Sequence, residues 1–281
     1  MGDKNNTERF APELLAGKVA LVTGGGTGMG RATATEMARC GAKVVVLGRR
    51  LEVVEDCANE IRAGGGEALA LRCDIREEDM IAAALEDIDD TYGGLDILVN
   101  NAGGQYVSPA KDITNKGFET VIRNNLIGTW QMTKAVADRF MFENGGRIIF
   151  ITAATRSGLA GFAHTAAARG GVMALMKTLA FEWAEHGILL NAVAPGTIYS
   201  DILGKYPIAP PDWHENSRNI LNRMGEPADV AGAVIFLSSD LGKFVTGEEW
   251  YIDGGETLHL AHDARKMIDA GKFEKRQRGD S

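Results

Sequence analysis

Short apolar runs, mostly β-branched, recur along the chain at 19–22 (VALV), 44–47 (VVVL), 97–99 (ILV), 148–151 (IIFI) and 189–193 (LLNAV). Strands that are apolar on both faces leave neither face for water, so these runs predict a parallel sheet covered on both sides. The segments between them, such as 31–39 and 51–62, are alanine-rich with charges to one side, as helices lying on a sheet should be. Glycines at 64–66 and 93–94 fall where helices should stop, and those at 145–146 precede a strand. From 199 to 224 the pattern lapses into a stretch holding Pro207, Pro210, Pro211 and Trp213. A long irregular insertion of this kind suits a substrate loop or lid. These changes divide the chain into an N-terminal arm (1–14), one domain (15–256) with its loop at 199–224, and a charged C-terminal tail (257–281).

Composition narrows the function. A chain of 281 residues, 45% hydrophobic, can bury one large core. The formal charge of -8 argues against nucleic acid, whose binding needs basic patches. Cys40, Cys57 and Cys73 show neither metal-ligand nor disulfide-scaffold spacing and read as reduced, buried thiols. No stretch resembles a signal peptide or approaches the roughly 20 apolar residues of a membrane span. Asn6 stands where a myristoylation signal needs Ser or Thr. The expectation is a cytoplasmic protein with no metal and no membrane partner.

Residues 23–30 read Thr-Gly-Gly-Gly-Thr-Gly-Met-Gly, between the first apolar run and the first helical stretch. That placement makes the pattern specific for a dinucleotide. Gly24 permits the tight turn, Gly28 lets the backbone approach a pyrophosphate, and Gly30 allows helix and sheet to pack closely. Thr23, Thr27 and Met29 complete the turn, and the helix N-terminus offers free N–H groups to phosphate. Together with the repeated strand–helix–strand pattern, this predicts a single α/β domain, a Rossmann-type doubly wound parallel sheet. NAD sites usually carry a carboxylate about 20 residues further on, at the end of the second strand. Here that end reads Leu47-Gly48-Arg49-Arg50. The acid is missing, and Arg49, with Arg50 beside it, offers a permanently charged fork to a 2′-phosphate. NADPH is therefore the expected cofactor.

Beyond this turn, Cys73-Asp74-Ile75 follows the third strand, Asn100-Asn101-Ala102-Gly103 the fourth and Pro195-Gly196 the sixth. With these motifs the chain resembles the short-chain dehydrogenases/reductases over roughly residues 15–256. The resemblance implies that Asp74 and Ile75 flank the adenine and that Asn101, Ala102 and Gly103 line the cofactor. It places Thr197 and Ile198, after Pro195 and Gly196, at the nicotinamide carboxamide. It also implies a homo-oligomer, a dimer or tetramer. Segments 117–138 and 166–185 agree, carrying Trp130, Met132, Met173, Met176 and Phe181 on more than one face.

The family's usual catalytic set is Asn, Ser, Tyr and Lys, with Tyr and Lys one helical turn apart, and the chain departs from it. Matching on Gly171-Val172 puts Thr165 at the Tyr position, Arg169 at the Lys position and Thr152 at the Ser position, while the Asn is kept as Asn125. A phenol beside an ammonium can protonate the alkoxide made from a ketone. Arg169 keeps a positive charge and donors for the nicotinamide ribose, while an aliphatic hydroxyl, a far weaker acid, still hydrogen-bonds an oxyanion. The stretches 100–109 (NNAGGQYVSP), 164–169 (HTAAAR) and 194–200 (APGTIYS) look like the peroxisomal trans-2-enoyl-CoA reductases, with the 2,4-dienoyl-CoA reductases next nearest. Those relatives also lack the tyrosine. The resemblance implies reduction of an activated C=C bond, in which charge gathers on the thioester oxygen as an enolate. Such an enolate needs donors more than a strong acid, a task that suits Thr165 and Thr152.

His164 is a further candidate, as a proton donor near neutral pH, and Tyr106 or Tyr199 could bring a phenol from another direction. Two other readings stay open: a carbonyl reductase or hydroxyacyl or hydroxysteroid dehydrogenase with another acid, and a nucleotide-binding protein with little catalysis. The expected partner is a small molecule, an acyl thioester or enone. For coenzyme A phosphates, the basic residues near the loop are Lys205, Arg218 and Arg223.

Overall fold

The apolar runs become strands of one parallel sheet in the computed structural model, which describes residues 10–156, 158–200 and 219–258. The strands are β1 (Val19–Thr23), β2 (Lys43–Gly48), β3 (Glu67–Arg72), β4 (Ile97–Asn100), β5 (Gly146–Ile151), β6 (Ile188–Pro195) and β7 (Glu249–Ile252), in the order β3-β2-β1-β4-β5-β6-β7. Val44, Val46, Val99 and Ile149 pack under α1 (Gly28–Arg39), α2 (Leu51–Ala63) and α7 (Pro227–Ser238). Val45, Leu47, Leu98 and Phe150 pack under α3 (Glu78–Tyr92), α5 (Gly128–Val136) and α6 (Ala163–Glu182). This is the doubly wound α/β sheet expected, with a core on each side.

β3 and β7 were absent from the apolar runs for one physical reason: they are the two edge strands. β7 is half-buried along its length, with Glu249 and Tyr251 alternating with Trp250 and Ile252. Among the helices, α4 (Asn115–Ile122) runs through a π turn at Arg123–Ile127 into α5, and a second π turn, Ala137–Met141, follows. Of the apolar residues expected between subunits, Met132 and Met176 are buried in the core, whereas Trp130 and Phe181 are exposed, Phe181 at 87%. The end of the N-terminal arm docks rather than hangs free: Phe10 and Leu14 pack on the core, and the Leu15 N–H donates to the Cys40 carbonyl at 2.7 Å. Among the described residues no helix is long and apolar enough to cross a membrane. The expected loop at 199–224 lies outside the described residues over 201–218, as does most of the tail.

The sheet changes winding direction at β1, whose neighbours are β2 and β4, and the turns that leave β1 and β4 are tied together. The Thr23 hydroxyl accepts the N–H groups of Asn101 and Ala102, each at 3.0 Å, and donates to the Val99 carbonyl at 3.3 Å. Asn101 returns the tie, its side-chain amide donating to the carbonyls of Thr23 and Gly24. Gly30 packs against this knot, because a Cβ there would collide with the Gly24 carbonyl and the Asn101 amide. Thr23→Val keeps the shape and removes the hydroxyl, leaving two N–H groups without their acceptor. It is expected to lower stability by about 1–3 kcal/mol in urea unfolding; an unchanged midpoint would show that the knot holds nothing.

Candidate active site

A cavity of 660 Å³ opens at the C-terminal ends of β1, β2 and β4, where the winding reverses. This size is ordinary for a ligand site, and the position is where open α/β sheets bind theirs. Gly24, Thr27, Gly28 and Met29 form one wall at the N-terminus of α1. Gly28 has a φ of +52°, and a Cβ there would meet nothing, so its backbone faces open space and can meet a phosphate directly. Gly24, at +63°, makes the turn. Gly26 went unremarked in the sequence, yet a Cβ there would press on Val53 of α2.

At the other end of the cavity stand Arg49 and Arg50, both exposed, and neither is ion-paired with a described residue. Asp74 and Ile75 line the wall beside them. Arg76 holds the Asp74 carboxyl below its ordinary range, chiefly through side-chain hydrogen bonds, the Nε bond being 2.9 Å. Asn101, Ala102, Gly103 and Ile198 line the cavity as expected, and Asn124 and Ser200 join them. Thr23, Gly30, Pro195, Gly196 and Thr197 are not among its lining residues, and neither are Asn125, Thr152, His164, Thr165 and Arg169: Thr23 and Gly30 build the knot. Thr197 gives both its N–H and its hydroxyl to the Glu256 carboxylate, at 2.7 and 2.9 Å. That is a commitment within the protein where a contact with the nicotinamide was expected.

The first turns of α6 bring together Thr165 and Arg169, four residues apart. Arg169 is 7% exposed and pairs with no carboxylate among the described residues. Its Nη1 donates to the Ile151 carbonyl at 2.7 Å, and its Nη2 lies where a Cβ on Gly103 would be. Burial pushes its pKa down to about 10, which leaves it charged at neutral pH. Asn125, fully buried in the π turn, donates to the carbonyls of Gly104 and Val121 at 2.8 and 2.9 Å and accepts the Gly104 N–H. It fixes the loop against which Arg169 packs.

His164 is fully buried, and its Nδ1 accepts the Thr165 N–H at 2.8 Å, with the Thr165 hydroxyl at 3.2 Å. Burial lowers its pKa. The ring packs edge-on to Tyr106, centroids 4.5 Å apart. These contacts describe a neutral imidazole whose Nδ1 is an acceptor, so that its proton sits on Nε2, which is buried and has no hydrogen-bond partner among the described residues. Tyr199 does reach the cavity. Thr152 is buried, and its hydroxyl is directed to the Val193 carbonyl at 3.2 Å and to Glu249 at 3.0 Å. Of the proposed basic rim, Arg223 is bound to Asp229 through both Nη atoms, and Lys205 and Arg218 lie outside the described residues.

The family model described as enoyl-(acyl carrier protein) reductase matches residues 24–257. The chain belongs to the short-chain dehydrogenase/reductase family. Within it, the chain is 33% identical to a peroxisomal 2,4-dienoyl-CoA reductase of Arabidopsis thaliana, covering 96% of this chain and 95% of that one. It is also 33% identical to a probable 2,4-dienoyl-CoA reductase of Bacillus subtilis, covering 86% and 97%. A solved citronellol catabolism dehydrogenase from Pseudomonas aeruginosa superposes with a TM-score of 0.80 at 39% identity, covering 89% and 98%. As a short-chain dehydrogenase/reductase the chain is an oxidoreductase, and its cavity is the place for a nicotinamide nucleotide.

The two uncommitted arginines predict how that nucleotide is chosen. Arg49→Ala is expected to weaken NADPH by about 10- to 100-fold, the worth of one charge-assisted hydrogen bond, and to leave NADH nearly unchanged. Fluorescence titration with both nucleotides measures it. Equal weakening of the two would remove Arg49 from 2′-phosphate recognition.

Proposed function

We propose that this enzyme uses NADPH to reduce an activated C=C bond, that of a 2-enoyl-CoA or 2,4-dienoyl-CoA thioester. The observation that carries the proposal is Arg169, a buried cation with no carboxylate partner among the described residues. A buried charge is costly unless paired, so a guanidinium packed against Gly103 of the cavity wall, with no described counter-ion, favours a bound group that becomes negative. An enolate on a thioester oxygen is such a group. The Thr165 hydroxyl, one turn away, supplies a second donor without needing to give up its proton. Neither residue offers the acid that an alkoxide from a simple ketone requires. The named activities of the plant and bacterial relatives agree.

The residues present fit the nucleotide. The backbone at Thr27, Gly28 and Met29 would hold its pyrophosphate on the N-terminus of α1, Arg49 and Arg50 its 2′-phosphate, Asp74 and Ile75 its adenine, and Asn101 to Gly103 the wall beside its ribose. When bound, it supplies the hydride. Arg169 and Thr165 then polarise the acceptor's carbonyl, and burial around them keeps water from weakening both interactions. Trp130 and Phe181, exposed on the helices of one face, give the chain a surface for self-association as a dimer or tetramer.

A second reading rests on the bacterial citronellol catabolism dehydrogenase, whose name points to oxidation or reduction at an oxygen-bearing carbon. One assay separates it from the first. Purified protein with NADPH is offered a trans-2-enoyl-CoA, a 3-oxoacyl-CoA, a free enone and an isoprenoid aldehyde, and products are identified by mass. Reduction of the enoyl thioester to the saturated acyl thioester is the expected result. Turnover of only the carbonyl substrates would overturn the proposal, and tight NADPH binding with no turnover would indicate a protein that has lost catalysis.

A further inference from the structure

After β6 the chain runs out through residues 196–200 and returns through 219–225, and both limbs are tied to one short turn, 253–257, that follows β7. Asp253 builds the turn. It is buried, and its carboxylate accepts the Gly255 N–H at 2.9 Å, the Thr257 N–H at 3.0 Å and the Thr257 hydroxyl at 2.7 Å. The returning limb meets the turn through backbone, the Ile220 N–H donating to the Gly254 carbonyl at 3.1 Å. The outgoing limb is held by a side chain, Glu256. Its two carboxylate oxygens accept the Thr197 N–H and the Thr197 hydroxyl separately. One charge-assisted bond to each oxygen fixes both where Thr197 sits and which way it faces.

The neighbouring positions make room for this contact. A Cβ on Gly196 would lie 2.7 Å from the Glu256 carboxylate and 2.8 Å from the Asp253 backbone. The glycine expected to meet the cofactor therefore admits Glu256 to the Thr197 N–H. Beyond it the two limbs pair: the Gly225 N–H donates to the Thr197 carbonyl at 3.0 Å, and the Tyr199 N–H to the Gly225 carbonyl at 2.7 Å. Thr197 is thus fastened to Glu256 on one side and to the returning limb on the other. The next three residues, Ile198, Tyr199 and Ser200, line the cavity. They follow β6, whereas Arg49 follows β2, four strand spacings or about 19 Å away along the sheet. The wall that Glu256 steadies is therefore at the end of the cavity away from the two arginines.

We propose that Glu256 is a positioning residue for the nicotinamide half of the nucleotide. It is not among the residues lining the cavity and acts through Thr197, holding the limb so that 198–200 stand as a preformed wall. Without it the limb keeps its backbone pairing with Gly225 alone, and part of the nucleotide's binding energy goes into ordering the wall. The adenine half, seated among Gly28, Arg49 and Asp74, does not depend on it. The inference rests on a nicotinamide nucleotide filling the cavity, and not on the substrate that it reduces.

Glu256→Ala in the full chain tests this, by calorimetric titration with NADPH, NADH and adenosine 2′,5′-bisphosphate. The Kd for each dinucleotide is expected to rise about 10-fold, as it does when the competent arrangement falls to a tenth of the population. Adenosine 2′,5′-bisphosphate, which carries only the adenine half with its 2′-phosphate, is expected to bind as it does to the wild type. Glu256→Gln is expected to recover most of the affinity, because a carboxamide can accept the Thr197 N–H and donate to the Thr197 oxygen. Thr197→Val, which removes one of the two bonds, is expected to weaken both dinucleotides by less than Glu256→Ala. The double variant is expected to bind no worse than Glu256→Ala, since both changes break one contact. Unchanged dinucleotide binding in Glu256→Ala, or equal weakening of adenosine 2′,5′-bisphosphate, would overturn the proposal. So would additive losses in the double variant, which would show that Thr197 serves the nucleotide itself. A wild type that binds neither dinucleotide would instead overturn the reading of the cavity on which the proposal rests.

Discussion

Arg169 places a full positive charge inside the protein with, among the described residues, the Ile151 carbonyl as its hydrogen-bond acceptor, and much of the site is arranged around that cost. The guanidinium fits because residue 103 is glycine, and the loop carrying Gly103 keeps its place because Asn125 holds Gly104 from within a π turn. The π turn is what lets a mid-helix asparagine reach across to that loop while still satisfying the Val121 carbonyl of its own helix. A buried cation without a counter-ion is tolerable only if something at work in the site answers it. Under the function proposed, negative charge developing on the substrate would answer it.

The two ends of the cleft follow different physical rules, which is why they differed in legibility. The nucleotide end is built from backbone, and backbone demands leave signatures: glycine where φ is positive, strand then helix around the turn, an arginine where an acid would otherwise stand. Gly24, Gly28, Arg49, Asp74 and Asn101 were legible for that reason. Even there, whether a motif residue touches ligand or braces the site could not be read: Thr23 and Gly30 brace, and Thr197 is spent on Glu256. That requires knowing which loops meet, and the meeting partners are some 80 residues apart in the chain for Thr23 and Asn101.

At the reacting end, residue identity told what was missing, but pairing could not be foreseen. Thr152 read as a donor to substrate, and only the packing of β7 beside β6 shows its hydroxyl turned to Glu249. β7 itself escaped notice because an edge strand need not be apolar on both faces, so the carboxylate it carries was invisible as a partner of Thr152. His164 read as an acid by its type, but its burial, the Thr165 N–H on its Nδ1 and the Nε2 left without a described partner could not be read from the chain. The sheet and its winding were legible because periodicity encodes them directly. Contacts between side chains on distant elements are not periodic, and the chemistry of this chain lies in them.

The central claim is that the chain delivers hydride to carbon conjugated with a thioester and not to a carbonyl carbon. Locating the transferred atom tests it most directly: NADPH carrying deuterium at both C4 positions, a substrate holding an enoyl thioester, and the product examined by mass spectrometry and NMR. The account predicts deuterium on the β-carbon of a saturated acyl thioester and none on the carboxyl carbon. Deuterium on a former carbonyl carbon, with the double bond intact, would contradict it.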